Sequence, residues 1–153
     1  MKIRTYKTSD TAAIMRLFYD TIHEVNIADY TKEQVDAWAP ANIDTEAWIS
    51  SLKNKFTYVV EEDEHIIGFG ELESNGHIDR FYCHKNFQKK GVGTKIIETI
   101  ELKARSLGIK KLFTEASITA KPFFLNKNFI VIKKQEVERR GQIFINFVME
   151  KAL

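Results

Sequence analysis

A single cysteine, Cys83, stands among the 153 residues, so the chain can close no internal disulfide and build no thiolate zinc site. A reducing, cytoplasmic setting is the expectation that follows. An excess of one charge is also missing: 23 Lys and Arg against 21 Asp and Glu leave a formal net charge of +2, which advertises neither nucleic acid nor an anionic membrane surface as partner. Any electrostatic attraction for a ligand must then be local. Long apolar runs are lacking as well. Lys2 and Arg4 are followed by no hydrophobic stretch, and no segment approaches membrane-spanning length, so a soluble intracellular protein without a signal peptide is expected. No repeat, low-complexity tract or linker marks a boundary, and residues 1–153 read as one domain, long enough to bury a core without metal or disulfide.

What is present is a succession of clear periodicities. Lys2 to Tyr6 alternates like a short strand, and Thr8, Ser9 or Asp10 can cap a helix on which Ile14, Leu17, Phe18, Ile22 and Val25 recur at helical spacing. Thr31 with Gln34 predicts a capping box on a short helix closed by Pro40, and Asp44 caps a further helix carrying Trp48 and Leu52. Phe56–Glu62 and His65–Glu73 read as strands joined by a tight acidic turn. Ser74-Asn75-Gly76 is a hairpin signal leading into a strand at His77–Cys83. From Gly91 a helix places Val92, Ile96, Ile100, Ala104 and Leu107 on one stripe and stops at Gly108. The apolar segment Lys110–Ala116 then completes a right-handed crossover, which predicts a strand parallel to and beside His77–Cys83. Ser117 or Thr119 caps a short helix through Asn126. Phe129–Glu138 and Gln142–Glu150 form a hairpin around Arg139-Arg140-Gly141, whose arginines read as solvated turn charge.

Within this order one stretch carries chemistry. The strand at His77–Cys83 empties through Gln88-Lys89-Lys90-Gly91-Val92-Gly93 into the long helix, leaving backbone N–H groups unpaired at the helix start. Glycine has no side chain to block a close approach and lysine favours an anion, so the turn has the outline of a phosphate site. Gly91-Val92-Gly93-Thr94-Lys95 lacks the Gly-Lys-Ser/Thr order of a nucleoside triphosphate loop.

Motif and element order together resemble the GNAT superfamily, the Gcn5-related N-acetyltransferases, over essentially the full length. The family signature Gln/Arg-x-x-Gly-x-Gly/Ala stands here as Gln88-Lys89-Lys90-Gly91-Val92-Gly93 between a hairpin-fed strand and an amphipathic helix. A second match, Ala116-Ser117-Ile118-Thr119-Ala120-Lys121-Pro122-Phe123-Phe124-Leu125-Asn126-Lys127-Asn128-Phe129, is similar to the segment that commonly ends Phe-Tyr, three residues, Gly-Phe. Two positions depart from it. Asn128 replaces the glycine, and asparagine is the next best residue for a left-handed helix end. Phe124 replaces a tyrosine whose hydroxyl in many members is proposed to protonate the departing thiolate, and phenylalanine cannot donate.

The resemblance implies a GNAT fold of α/β (α+β) class: a central, mixed but mostly antiparallel twisted sheet of about seven strands, one parallel crossover and flanking helices. It implies acetyl-CoA as co-substrate and no metal. The backbone of Phe81, Tyr82 and Cys83 would pair with pantetheine, and the turn Gln88, Lys89, Lys90, Gly91, Val92, Gly93 and Thr94 would hold the pyrophosphate, with Phe124 beside the thioester. A backbone N–H on the same strand would hold the oxyanion, freed by a neighbouring strand that splays away, with a bulge near Arg80 to Tyr82.

The residues leave the proton transfers open. Glu71, His77, Asp79 and Glu115 are alternative general bases, Glu71 through a pKa raised by partial burial, and Tyr82 and Ser117 are alternative donors to the thiolate. Cys83 reads as a small buried hydrophobe rather than a nucleophile. Tyr30 and Trp38 are expected to wall the acceptor pocket, with Asp29, Glu33 or Asp36 drawing in an ammonium. The activity expected is direct transfer of acetyl from acetyl-CoA to a primary amine of a small molecule, without a covalent enzyme intermediate. A non-catalytic acyl-CoA sensor or scaffold is the alternative that Phe124 keeps open. The partner expected is that small-molecule amine, with a homodimer as an open option and neither nucleic acid nor membrane.

Overall fold

Local signals set most element boundaries in the computed structural model, which describes residues 1–153. The chain runs β1 (Lys2–Thr5), α1 (Thr11–Glu24), α2 (Lys32–Trp38), α3 (Thr45–Lys53), β2 (Phe56–Glu62), β3 (His65–Leu72) and β4 (Ile78–Cys83). It continues as α4 (Val92–Ser106), β5 (Lys111–Ser117), α5 (Lys121–Asn126), β6 (Ile130–Arg139) and β7 (Gln142–Ala152). Thr31 and Gln34 form the predicted capping box of α2, and Asp44 accepts from Glu46 and Ala47 N–H at the start of α3. Asn128 adopts the left-handed conformation expected of it, at φ 70°. No helix is long and apolar enough to cross a membrane.

The seven strands do not make one continuous sheet. They form two, in orders β1-β2-β3-β4 and β5-β7-β6, and the two strands expected to lie side by side, β4 and β5, touch only where they begin. His77 and Phe113 make a single parallel bridge, in which the Phe113 N–H donates to the Gly76 carbonyl at 3.0 Å. The Thr114 hydroxyl donates to the Ile78 carbonyl at 2.9 Å, and past that bond the strands part. A bulge accompanies the parting. Between the pairs Leu72–Ile78 and Gly70–Phe81, Asp79 and Arg80 together oppose Glu71 alone. An extra residue bends and twists the strand that carries it, which turns β4 away from β5. The bulge overlaps the position expected near Arg80 to Tyr82 at Arg80 and begins one residue earlier.

Two apolar clusters hold the halves. One packs Ile96, Ile97 and Ile100 of α4 with Leu112, Phe124 and Phe129, and the other gathers Ile14, Phe18, Trp48, Phe69 and Phe144 under α1 to α3. Each wholly buried isoleucine of α4 contributes roughly 1.5–3 kcal/mol. Close approach of α4 to β3 fixes where the helix begins. A Cβ on Gly68 would lie 2.5 Å from Val92 Cγ1, and one on Gly70 would lie 2.6 Å from Ile96 Cγ2. The glycines of β3 thus position the turn at Gly91 against the open end of β4.

Candidate active site

Strand pairing decides which backbone groups face the parting. The His84 N–H donates to the Ile67 carbonyl at 2.8 Å, and the register sets Tyr82 opposite Phe69. Antiparallel ladders alternate, so Tyr82 bonds toward β3 and the groups of Phe81 and Cys83 face away from it. The Cys83 carbonyl is then taken by Gln88 Nε2 at 2.7 Å and Thr21 Oγ1 at 3.1 Å, which leaves both groups of Phe81 and the Cys83 N–H toward the gap. A cavity of about 710 Å³ fills that gap, running from Phe81 to the turn at Gly91–Thr94 and bounded opposite by Ala116 and α5.

Each part of the turn has a separable task. Gly91 caps α4 at φ 85° with open space around its missing side chain, so conformation is what demands glycine there. At Gly93 the reason is packing, because a Cβ would lie 2.7 Å from the Phe123 ring. Gln88 staples the turn to the end of β4 through its side chain. Lys89 lines the cavity, but the predicted Lys90 does not; its ammonium sits 5.5 Å over the Phe87 ring. Lys127, which no sequence signal singles out, supplies a cation from the end of α5. Burial pushes the Cys83 thiol up to about 12, so it stays protonated, as a packing residue would.

A second cavity, of about 740 Å³, lies on the other side of the parting and is walled by Phe18, Tyr30, Trp38, Trp48 and Phe144. Tyr30 is held at its hydroxyl, which accepts from the Ile118 N–H at 2.9 Å and donates to the Ile145 carbonyl at 2.8 Å. Trp38 stands edge-on to Tyr30 and Phe144. The acids expected here are elsewhere: Asp29 accepts from the Thr119 hydroxyl, Asp36 pairs with Lys32, and neither these nor Glu33 line the cavity. Arg139 and Arg140 are exposed, as expected of turn charge, but they also border it, and Arg140 Nη1 donates to the Ala37 carbonyl at 2.6 Å. The two cavities meet along Trp38, Asp79, Tyr82, Glu115 and Ser117, which line both.

Of the four candidate bases, two stand at that junction and two do not. Glu71 is 0% exposed, with Arg80 Nη2 2.7 Å from one oxygen and Lys55 Nζ 3.3 Å from the other. It belongs to a buried ion cluster that secures the bulge. His77 donates from Nδ1 to Glu73 at 2.6 Å and from Nε2 to Glu115 at 2.8 Å. The bond to Glu115, then that to Glu73, outweighs burial and raises its pKa to about 9, so it is an imidazolium at neutral pH. Asp79 lies 2.5 Å from Lys55 Nζ. Burial pushes its pKa up, but the lysine's hydrogen bond and charge prevail and hold it below the usual carboxylate range. Glu115 gives one oxygen to His77 and reaches both cavities.

Two hydroxyls share the junction. Ser117 Oγ accepts from the Ala120 N–H at 3.0 Å, which leaves its own proton to donate. Burial pushes the Tyr82 phenol far up, against the nearby charge of Arg139, so it too keeps its proton. Phe124 is 2% exposed and packed against Phe81, Phe123 and Phe129, bordering the first cavity only.

Two parted strands and a glycine turn are features that can be compared with known proteins. Residues 26–151 match the acetyltransferase (GNAT) domain model, and the chain is 30% identical over 150 residues to the uncharacterized N-acetyltransferase YafP of Escherichia coli, covering 97% of this chain and 94% of that protein. The chain belongs to the GNAT acetyltransferase family. A solved GNAT structure from Rhodopseudomonas palustris, described as a GCN5-related N-acetyltransferase and class-II aminotransferase, superposes at a TM-score of 0.95 with 29% identity, covering 99% of this chain and 95% of that one. The PaiA N-acetyltransferase of Thermoplasma acidophilum, solved with coenzyme A, shares the GNAT fold at a TM-score of 0.80 and 18% identity, covering 99% and 98% of the two chains. The GNAT fold and acetyltransferase class expected from the sequence are thereby shown.

Proposed function

We propose that the protein transfers the acetyl group of acetyl-CoA directly to a primary amine of a small molecule. The observation that carries this reading is the meeting of the two cavities at the parting of β4 and β5, with two carboxylates and two hydroxyls at the join. On the first side, the Phe81 carbonyl and the Cys83 N–H would bond pantetheine as an added strand, and the N–H groups of Gly91 to Thr94 would hold the pyrophosphate between Lys89 and Lys127. On the other side, the amine would enter between the aromatic walls and meet the thioester at Glu115.

Glu115, oriented by the His77 imidazolium, takes the ammonium proton directly or through one water. The amine nitrogen then attacks the thioester carbonyl, whose oxyanion the Phe81 N–H stabilises. The C–S bond breaks as the amide forms, Ser117 or Tyr82 protonates the departing thiolate, and the second proton lost by the nitrogen returns to that hydroxyl. Support for Glu115 is positional: it lines both cavities with one oxygen on His77, whereas Glu71 and His77 line neither, and Asp79, the other carboxylate at the junction, is bound to Lys55. The test is amine-dependent release of free CoA thiol across amines, amino acids and lysine peptides. Release by any of them supports the enzyme. Stabilisation by acetyl-CoA with no release across the panel would leave the sensor reading instead.

A further inference from the structure

Away from both cavities, β6 ends the β5-β7-β6 sheet with one side open, and Ile130, Val131 and Ile132 follow one another along it at 62%, 38% and 49% exposure. A long apolar edge of this kind is a template for another strand. The direction of its free backbone groups follows from β7. The Ile145 carbonyl accepts from the Tyr30 hydroxyl and the Ile143 carbonyl from Gln34 Nε2, so both residues bond away from β6. Phe144 and Asn146 then bond toward it, to their register partners Val137 and Gln135, and the main-chain groups of Lys134, Glu136 and Glu138 point outward with no strand to receive them. Charge is ordered along this edge. Lys133 and Lys134 precede Gln135, Glu136 and Glu138 follow it, and these four exposed charges have no ion-pair partner within the chain. Two such strands laid antiparallel complement each other.

We infer that β6 pairs with β6 of a second copy of this chain about a two-fold axis at Gln135, joining the two β5-β7-β6 sheets edge to edge. Alternation narrows the choice of register. Outward-bonding residues must meet outward-bonding residues, so the axis passes through a single residue. An axis at Lys133, Lys134, Glu136 or Val137 sets like charges directly opposite one another, which is destabilising. At Gln135 the axis instead sets Lys134 opposite the partner's Glu136, and repeats that pair by symmetry. Val131 and Ile132 then fall opposite the partner's Arg139 and Glu138, whose aliphatic stems can cover them. No step of acetyl transfer enters this inference.

The test is sedimentation velocity on the intact protein at roughly 1 to 200 µM chain, where an edge-to-edge pair of this size should form a dimer of twice 17.8 kDa. Lys134→Glu, whose effect the axis doubles, should raise the dissociation constant about tenfold. Adding Glu136→Lys should bring it back to within about threefold, because the charge order is then reversed but still complementary. Both positions are exposed, and circular dichroism verifies that the variants fold. Cysteine reads the register separately. Residues opposite each other in a non-hydrogen-bonded antiparallel pair have Cα atoms about 4.5 Å apart, within disulfide reach, so Gln135→Cys should give a covalent dimer on mild oxidation. Lys133→Cys, opposite the partner's Val137, should not, and the wild type, with Cys83 alone, is the control. A monomer at every concentration overturns the inference, as does a dimer indifferent to Lys134→Glu or one that Lys133→Cys links as readily as Gln135→Cys.

Discussion

The two cavities that meet at Glu115 are nearly equal in size, about 710 and 740 Å³, but they are made of different material. Main chain dominates the first: the free groups of Phe81 and Cys83 and the N–H groups that open α4, steered by two glycines. Side chains dominate the second, and they come from α1, α2, α3 and β4 to β7. A main-chain site depends on conformation and tolerates changes of side chain; a side-chain site is rewritten by them. Changes in the first cavity should therefore act on cofactor binding through a few backbone positions, and changes in the second on turnover and choice of amine.

Gly91→Glu is the most severe way to break this comparison. Any side chain at its left-handed φ of 85° costs about 1–2 kcal/mol, and a carboxylate about 4 Å from a phosphate adds repulsion on the order of 4 kcal/mol at an intermediate dielectric. Coenzyme A binding by calorimetry should fall by more than about a hundredfold. Lys90→Ala should change it little, because that ammonium lies outside the cavity, while Lys89→Ala and Lys127→Ala should each weaken it several-fold. An effect of Lys90 larger than that of Lys127 would show that the anion lies elsewhere.

Glu115→Gln tests the other side. It removes the charge and keeps the hydrogen bond from His77, so kcat should drop about a hundredfold while cofactor affinity stays constant. A larger loss in Asp79→Asn than in Glu115→Gln would transfer the role of base to Asp79.

The same contrast explains what the sequence could and could not reveal. Gly91 and Gly93 sit within one short run whose order on either side is local, so the turn, its helix and the capping residues were legible. The splay was visible only by resemblance, because it depends on a bulge at Asp79 and Arg80 and on a single bridge between His77 and Phe113, residues 36 positions apart in register pairing with no local signal. Glu71 read as a base from its place in an apolar strand; Lys55 and Arg80, which converge on its two oxygens only after folding, could not be seen in the sequence. Arg139 and Arg140 read only as turn charge because the distance from a hairpin tip to α2 cannot be seen in one dimension. Lys127 escaped notice because its approach to the turn depends on α5 packing against Gly93.

At the closed end of the parting, His77 joins Glu73 after β3 to Glu115 on β5, and its titration sharpens the comparison further. Its folded pKa, raised from 6.5 to about 9 mainly by Glu115, means that it stabilises the fold fully below pH 6.5 and loses that contribution as pH climbs through 9. Across this window the wild-type protein should lose on the order of 2 kcal/mol of unfolding free energy more than His77→Gln, as read by denaturant titration, allowing for screening of the partly exposed carboxylates. Parallel curves for the two proteins would show that the clamp carries no charge in the folded state.

The smallest effect is expected at Phe124, which departs from the motif that the segment resembles. Restoring the hydroxyl with Phe124→Tyr places it in an aromatic cluster formed by Phe81, Phe123 and Phe129, at a position that borders the cofactor cavity but not the acceptor cavity. Ser117 and Tyr82 already bring protonated hydroxyls to the junction, so an added donor has little left to supply. Turnover should stay within about twofold, and stability should fall by about 1 kcal/mol if the hydroxyl finds no partner. Ser117→Ala and Tyr82→Phe made in both backgrounds identify the operating donor: the variant whose lost turnover Phe124→Tyr restores is the one that stands in for the missing tyrosine. A tenfold gain from Phe124→Tyr alone would instead mean that neither junction hydroxyl reaches the thiolate, and that its protonation by solvent limits the reaction.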